Sequence, residues 1–547
     1  MIEYKPNKEI TGEYDVNCAA RCVNGIFVGK ETEGVTAFRG IPFALPPTGE
    51  LRWREPVPVK PSDLVFEAFY NGPTAIQTKL KSERASFYRQ SEDCLYLNVW
   101  TANGYEGQSR AVMVFIHGGN YGWGGTADPL YDCHNLVKAH PEVVLVTIAY
   151  RVGITGFMDF SEVPGGEEYK TSGNLGLLDQ ICALSYIKEN IKSFGGDPEN
   201  VTVFGESAGG GSVSLLPLIP SAKGLFRRVI AESGSVNLSY SRKECLPLTR
   251  LLMKRTGAKN MADLLALTEE ELSGANEKLN GQNNFPERDG VVLPEDLYGA
   301  YDCGKAFPVD MLSGTNADEL RYWIQDVGGV VMYRHLAHVL FDSMFKQLES
   351  RDRHRADYFM QMKEDSGIYG RPWQITEFFN ELIFRLPAIR QCEAHANNGG
   401  RSYLYYWDYP SSIPHMKACH AVELAYVFNN LHETIYTGEN ASRELAEKVQ
   451  QMWVNFAVSG DPSIDGVKWK PYTSSSRKTM ILGKNIRLEK NWKEKERRCL
   501  TPLLKYNFNG NSAAPSFDTS LILKIAAVAA GVGLTAFALY KLLHRGE

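Results

Sequence analysis

The chain is 547 residues long, 44% hydrophobic and 22% charged, with 59 Lys+Arg against 64 Asp+Glu and a formal net charge of −5. That length is enough to bury a large core, and the slightly acidic balance offers no basic face for nucleic acid. The opening stretch, Met1 to Glu9, has no apolar run, so it does not read as a secretory signal, and reduced thiols are expected for the ten cysteines.

Those cysteines are scattered without C-x-x-C spacing. Cys18 and Cys22 lie close together, but no second pair of ligands stands nearby, so no metal is expected there and no cofactor is called for. No internal repeat or linker interrupts residues 1–509, which read as one large α/β domain with insertions.

In chain order, residues 38–58 hold Pro42, Pro46, Pro47 and then Leu51-Arg52-Trp53, and read as an extended crossing segment rather than a helix. Residues 92–100 alternate like a strand. Ala111 to Ile116 is a buried-strand run that ends in His117-Gly118-Gly119-Asn120. Two glycines at a strand end let backbone N–H groups face a cavity, so Gly118 and Gly119 are candidate oxyanion donors. Val143 to Tyr150 is another buried strand, and a helix follows to about Ser193. This alternation of strand and helix predicts a mostly parallel sheet with helices on both faces.

Val201 to Phe204 is β-branched or aromatic and suits a short buried strand. Gly205-Glu206-Ser207-Ala208-Gly209 then fits G-x-S-x-G, a sharp turn from strand into helix that lifts the Ser207 hydroxyl above the sheet edge. The helix N-terminus beneath favours developing negative charge, and the Ala208 N–H supplies a third candidate oxyanion donor.

Together these segments resemble the type-B carboxylesterase and cholinesterase family of α/β-hydrolases. Phe194 through Gly209 matches the family's serine signature, and Glu92-Asp93-Cys94-Leu95-Tyr96 matches its second signature. The resemblance implies an α/β-hydrolase fold and a serine esterase that takes small-molecule esters. It implies the chain order nucleophile, acid, base, so both partners of Ser207 should follow it. Gly314-Thr315-Asn316-Ala317-Asp318-Glu319 resembles the acid-bearing turn. Its matching position is Glu319, with Asp318 the rival carboxylate.

Among eleven histidines, His420 fits the family's H-x-x-E-x-x-(F/Y)-V-F loop, and His415 is the local alternative. The family usually has glycine after this histidine, where this chain has Ala421. Glu206 is implied to tune the local field. Tyr121, Trp123, Tyr322 and Trp323 follow these segments and are candidates for an apolar pocket, with ordinary core packing as the other reading. His335 and His338 sit three apart in an expected helix and read as surface residues.

Two departures narrow the function. Secreted relatives close a disulfide onto the position of Cys94, but no cysteine lies between Cys22 and Cys94 here. Cholinesterases hold a tryptophan in that loop for quaternary ammonium, and residues 71–93 contain none, with Phe87 and Tyr88 the nearest aromatics, so a choline ester is not expected.

At the C-terminus, residues 510–520 read as a linker and 521–543 as a transmembrane tail helix, almost wholly apolar apart from Lys524 and Lys541. Twenty-three residues of helix span about 34 Å, enough for a bilayer. The expectation is a membrane protein with a single-pass C-terminal anchor in the lipid bilayer and a cytoplasmic catalytic domain. The basic end at Lys541, His544 and Arg545 works against that orientation. Rival readings are a membrane-surface lipase and a non-catalytic adhesion or scaffold homologue. The scaffold reading requires a missing nucleophile.

Overall fold

The computed structural model describes residues 7–78, 89–279, 281–323, 341–342, 345–368, 370–506 and 508, without the side chain of Trp323. Residues 510–520, the apolar stretch 521–543, and His335 and His338 lie outside the described residues, as do Phe87 and Tyr88. Among the described residues no helix is long and apolar enough to cross a membrane.

An eleven-stranded sheet forms the centre. Its strands are β1 Lys30–Thr32, β2 Val35–Pro42, β3 Tyr96–Ala102, β4 Arg110–Ile116, β5 Val143–Ile148, β6 Gly196–Glu206, β7 Arg228–Glu232, β8 Asp310–Asn316, β9 Ser402–Trp407, β10 Lys478–Leu482 and β11 Arg487–Lys490. Across the sheet the order is β11-β10-β9-β8-β7-β6-β4-β5-β3-β2-β1. Every pair from β5 to β10 is parallel. The pairs at both edges are antiparallel.

Parallel strands need long crossovers, and the crossovers put helices on both faces. Val112 of β4 therefore packs into one core and its neighbour Met113 into the other. The Leu175–Asn190 helix covers the first face through Ile181, Leu184 and Ile187. The Arg443–Ser459 helix covers the second through Val449, Met452 and Phe456. Double coverage also corrects one expectation. The strand predicted to alternate over 92–100 is Tyr96–Ala102, buried at every position, because neither face meets water.

The helix expected to reach about Ser193 is α-helical to Asn190 and continues as a 3₁₀ turn, Ile191–Phe194, to Gly195 at φ 77°. The acid-bearing strand begins at Asp310, where register with β7 starts, rather than at Phe307.

Buried ion pairs tie the loops to this frame. Arg52 grips Glu92 with two bonds of 2.6 Å. Arg151 grips Asp179 with bonds of 2.9 and 2.7 Å. Removing one partner of such a pair leaves a bare charge in the core and costs about 3–5 kcal/mol. Glu92 of the second signature is thus a structural anchor for the Leu51-Arg52-Trp53 segment. All ten cysteines are free thiols, and Cys94 is buried.

Candidate active site

The site sits beyond the carboxyl ends of β6, β8 and β9, where an open parallel sheet leaves room for ligands. Ser207 follows Glu206 directly and caps the Ala208–Leu215 helix with φ 57° and ψ −119°. A side chain in that backbone region is strained. The strain is held by two bonds: Ser207 N–H donates to the Glu232 carbonyl and the Ser207 carbonyl accepts from Gly211, each at 2.8 Å. At Gly205 a Cβ would lie 2.6 Å from the Ile116 carbonyl, so only glycine lets β6 and β4 approach this closely.

Glu319 stands three residues past β8 and is 0% exposed. Its Oε1 accepts from the Ser233 hydroxyl and the Asn316 N–H, both at 2.7 Å. Its Oε2 meets His420 Nδ1 at 2.6 Å. Because a carboxylate accepts, Nδ1 carries a hydrogen. Asp318, the rival acid, turns away to Arg321 Nε at 3.1 Å. His415, the rival base, is exposed on a surface loop.

The imidazole has a second carboxylate partner: His420 Nε2 lies 3.0 Å from Glu206 Oε1. Burial pushes the His420 pKa down, but Glu206 and Glu319 overcome that and raise it above its ordinary value. Burial pushes Glu206 up to about 7. Two further buried carboxyls, Glu232 and Glu423, stand close behind. Burial pushes Glu232 up to about 8 and Glu423 well above the ordinary range. Trp453 Nε1 donates to Glu232 and Asn316 Nδ2 donates to Glu423.

Ser207 and His420 both line a cleft of about 550 Å³. Gly118, Gly119 and Ala208 border it, as do Glu206, Tyr121, Trp123 and Tyr322. Of the expected pocket aromatics, Tyr322 stands edge-on to the His420 ring at 5.8 Å. Tyr121 is 0% exposed, with its ring held between Phe157 and Phe285, so it is chiefly core. The side chain of Trp323 lies outside the described residues. A larger hollow of about 790 Å³, bounded by Arg39, Asp132 and Asn430, meets the cleft at Asp128 and contains neither Ser207 nor His420. Among the described residues no group of His, Cys, Asp and Glu is placed to hold a metal ion.

Several site residues carry no motif. Ser233, which bonds Glu319, directly follows β7, and its position at a carboxyl end was the available signal. Phe384 packs on His420 at 5.1 Å from a π-helical turn, Asn380–Arg385. Such turns favour functional sites, but a hydrogen-bond irregularity leaves no mark in side-chain periodicity. Phe285, Tyr436 and Phe508 come from other segments.

With this geometry in view, comparison with known proteins gives a consistent answer. The model of the carboxylesterase family matches residues 15–500. The chain belongs to that family. It is 34% identical over 491 residues to the para-nitrobenzyl esterase of Bacillus subtilis, across 87% of this chain and 96% of that protein. It is 32% identical to rat liver carboxylesterase 1F (Rattus norvegicus), across 88% of this chain and 92% of the relative. Among solved structures, the Geobacillus stearothermophilus carboxylesterase EST55 superposes with a TM-score of 0.75 at 32% identity, over 88% of this chain and 99% of its own. The resemblance in the motifs thus extends along nearly the whole α/β-hydrolase domain, and the protein is a serine carboxylesterase.

Proposed function

We propose that this carboxylesterase cleaves small to medium apolar esters through Ser207, His420 and Glu319, with an acyl-enzyme intermediate. The observation that carries this reading is the 2.6 Å contact between His420 Nδ1 and Glu319 beside a strained Ser207. His420 Nε2 leaves Glu206, takes the Ser207 proton, and Ser207 Oγ attacks the carbonyl. The N–H groups of Gly118, Gly119 and Ala208 receive the oxyanion, each worth about 3–4 kcal/mol of barrier. The imidazolium protonates the departing alcohol. Water then repeats the attack and releases the acid. Glu319 holds the tautomer and balances the imidazolium charge. The presence of Ser207 argues against the scaffold reading.

Labelling with a fluorophosphonate, followed by mapping of the modified peptide, tests the nucleophile. The label is expected on Ser207. Ser207→Ala is expected to lower kcat by at least about a thousandfold with the fold intact. Retention of most of the activity would remove the assignment.

The apolar stretch 521–543 supports a second proposal, a single-pass anchor that holds the domain at a bilayer on the cytoplasmic side. A chain ending at residue 509 should then leave the membrane fraction and keep its rate on soluble esters. If only long-chain, vesicle-borne esters lost rate in that truncation, the lipase reading would gain.

A further inference from the structure

The glycine loop beside Ser207 is held from behind by two side chains with no role in the reaction as written above. The His117 carbonyl accepts from the Tyr150 hydroxyl at 2.8 Å. The Gly118 carbonyl meets His117 Nδ1 at 2.8 Å. A carbonyl only accepts, so Nδ1 carries the hydrogen. The two rings stack with centroids 4.4 Å apart and planes 21° from parallel. Both residues are buried, at 2% and 1% exposure.

A trans peptide plane sends its N–H opposite to its carbonyl. Among the described residues no peptide is cis. Fixing the His117 carbonyl therefore fixes the direction of the Gly118 N–H, and fixing the Gly118 carbonyl fixes that of Gly119. Both carbonyls are held by the Tyr150–His117 pair, and both glycines line the cleft that Ser207 lines. Gly118 lies beside the nucleophile: a Cβ added there would come within 3.1 Å of that of Ser207. Glycine has no side chain to hold its planes in place, so the aim of these donors must come from their neighbours.

We propose that Tyr150 and His117 are positioning residues for the oxyanion hole, Tyr150 aiming the Gly118 N–H and His117 aiming the Gly119 N–H. The proposal rests on the Ser207 reading given above. Burial keeps both groups in the donor form this requires. It pushes His117 down to about 4, leaving a neutral ring with one hydrogen, and raises Tyr150 well above its ordinary value. Preorganised donors stabilise charge that develops only in the transition state, so the effect belongs in kcat and in the binding of transition-state mimics, not in ground-state binding.

The test is Tyr150→Phe in the full chain, with rates on p-nitrophenyl butyrate normalised to active-site titre and with the Ki of a trifluoromethyl ketone. Loss of one aim should lower kcat about tenfold, raise the ketone Ki in proportion, and leave KM within about twofold. His117→Phe, which keeps the stacking and loses the hydrogen, should follow the same pattern. A purely structural role would lower the titre and leave the normalised constants alone. If Tyr150→Phe keeps kcat and ketone affinity within twofold while Ser207→Ala is inert, this inference fails and the ester reading stands. An active Ser207→Ala would overturn the reading beneath it. Nitrogen-15 spectra of the unmodified protein give an independent check, since a His117 ring protonated at Nε2 and bare at Nδ1 would also overturn the proposal.

Discussion

The floor and the wall of the cleft are built differently. The floor holds Ser207 and Gly118 just past strand ends and His420 on the loop after β9, with Glu319 buried behind the imidazole and backbone strain at Ser207. The wall holds Phe285, Phe384, Tyr436 and Phe508, brought from distant segments by packing alone. Floor chemistry needs particular atoms at particular distances, so few residue types serve. A wall needs only apolar volume, and many side chains supply it. Substitutions in the floor should therefore collapse kcat, and substitutions in the wall should redistribute it among substrates.

The largest effect after loss of the nucleophile itself is expected from Glu319→Gln. The amide can donate where the carboxylate only accepts, so the imidazole loses both its tautomer lock and its counter-charge. A fall in kcat of about a thousandfold or more, with KM little changed, is expected from steady-state rates on p-nitrophenyl esters. A fall below tenfold would make the 2.6 Å contact structural rather than catalytic.

Glu206 sharpens the comparison within the floor. Its carboxylate favours the protonated imidazole, and a general base works only when deprotonated. A raised His420 pKa therefore moves the acid limb of kcat/KM upward, above the position expected for an ordinary histidine. Glu206→Gln removes that charge, so the limb should move down by about one pH unit. A limb that stayed in place would mean that Glu206 is already neutral in the working enzyme.

Phe508 tests the wall. It borders the cleft and also a side cavity of about 240 Å³ lined by Val236, Leu382 and Tyr506. Phe508→Ala opens one space toward the other. The ratio of octanoyl to acetyl ester rates should rise about tenfold while acetate hydrolysis stays within a few-fold. Equal losses on both esters would mean that the ring supports the fold instead of selecting the substrate.

The same division explains what was legible in the sequence. Gly205 through Gly209 and Gly118-Gly119 were readable because a tight turn or a close approach permits few residues. Glu319 and His420 needed the family resemblance as well, since Asp318 and His415 are as polar and as near in sequence; only the fold turns Asp318 to Arg321. Ser233, Phe384 and Phe508 left no local trace. Ser233 matters because β7 lies beside β8, and Phe384 because a π-turn rotates it onto His420. These facts are tertiary. The alternation read into residues 92–100 failed for the same kind of reason, since a strand covered on both faces has no polar side.

The smallest effect expected lies at Ala421. It sits at φ 65°, directly after His420, the base of the proposed mechanism, where the family resemblance implies glycine. An L-residue there costs about 1–2 kcal/mol, while glycine would give up about 0.4–1 kcal/mol through its freer unfolded chain. Ala421→Gly should therefore gain about 0.5–1 kcal/mol, visible in a chain of this size as a rise in thermal midpoint of no more than about 1 °C. Activity should hold within about twofold, because the His420 N–H still bonds the Glu319 carbonyl at 3.2 Å and Nδ1 still meets its carboxylate. A drop in kcat with a higher midpoint would instead show that the strained alanine stiffens the loop that presents the imidazole, and that this part of the floor trades stability for aim.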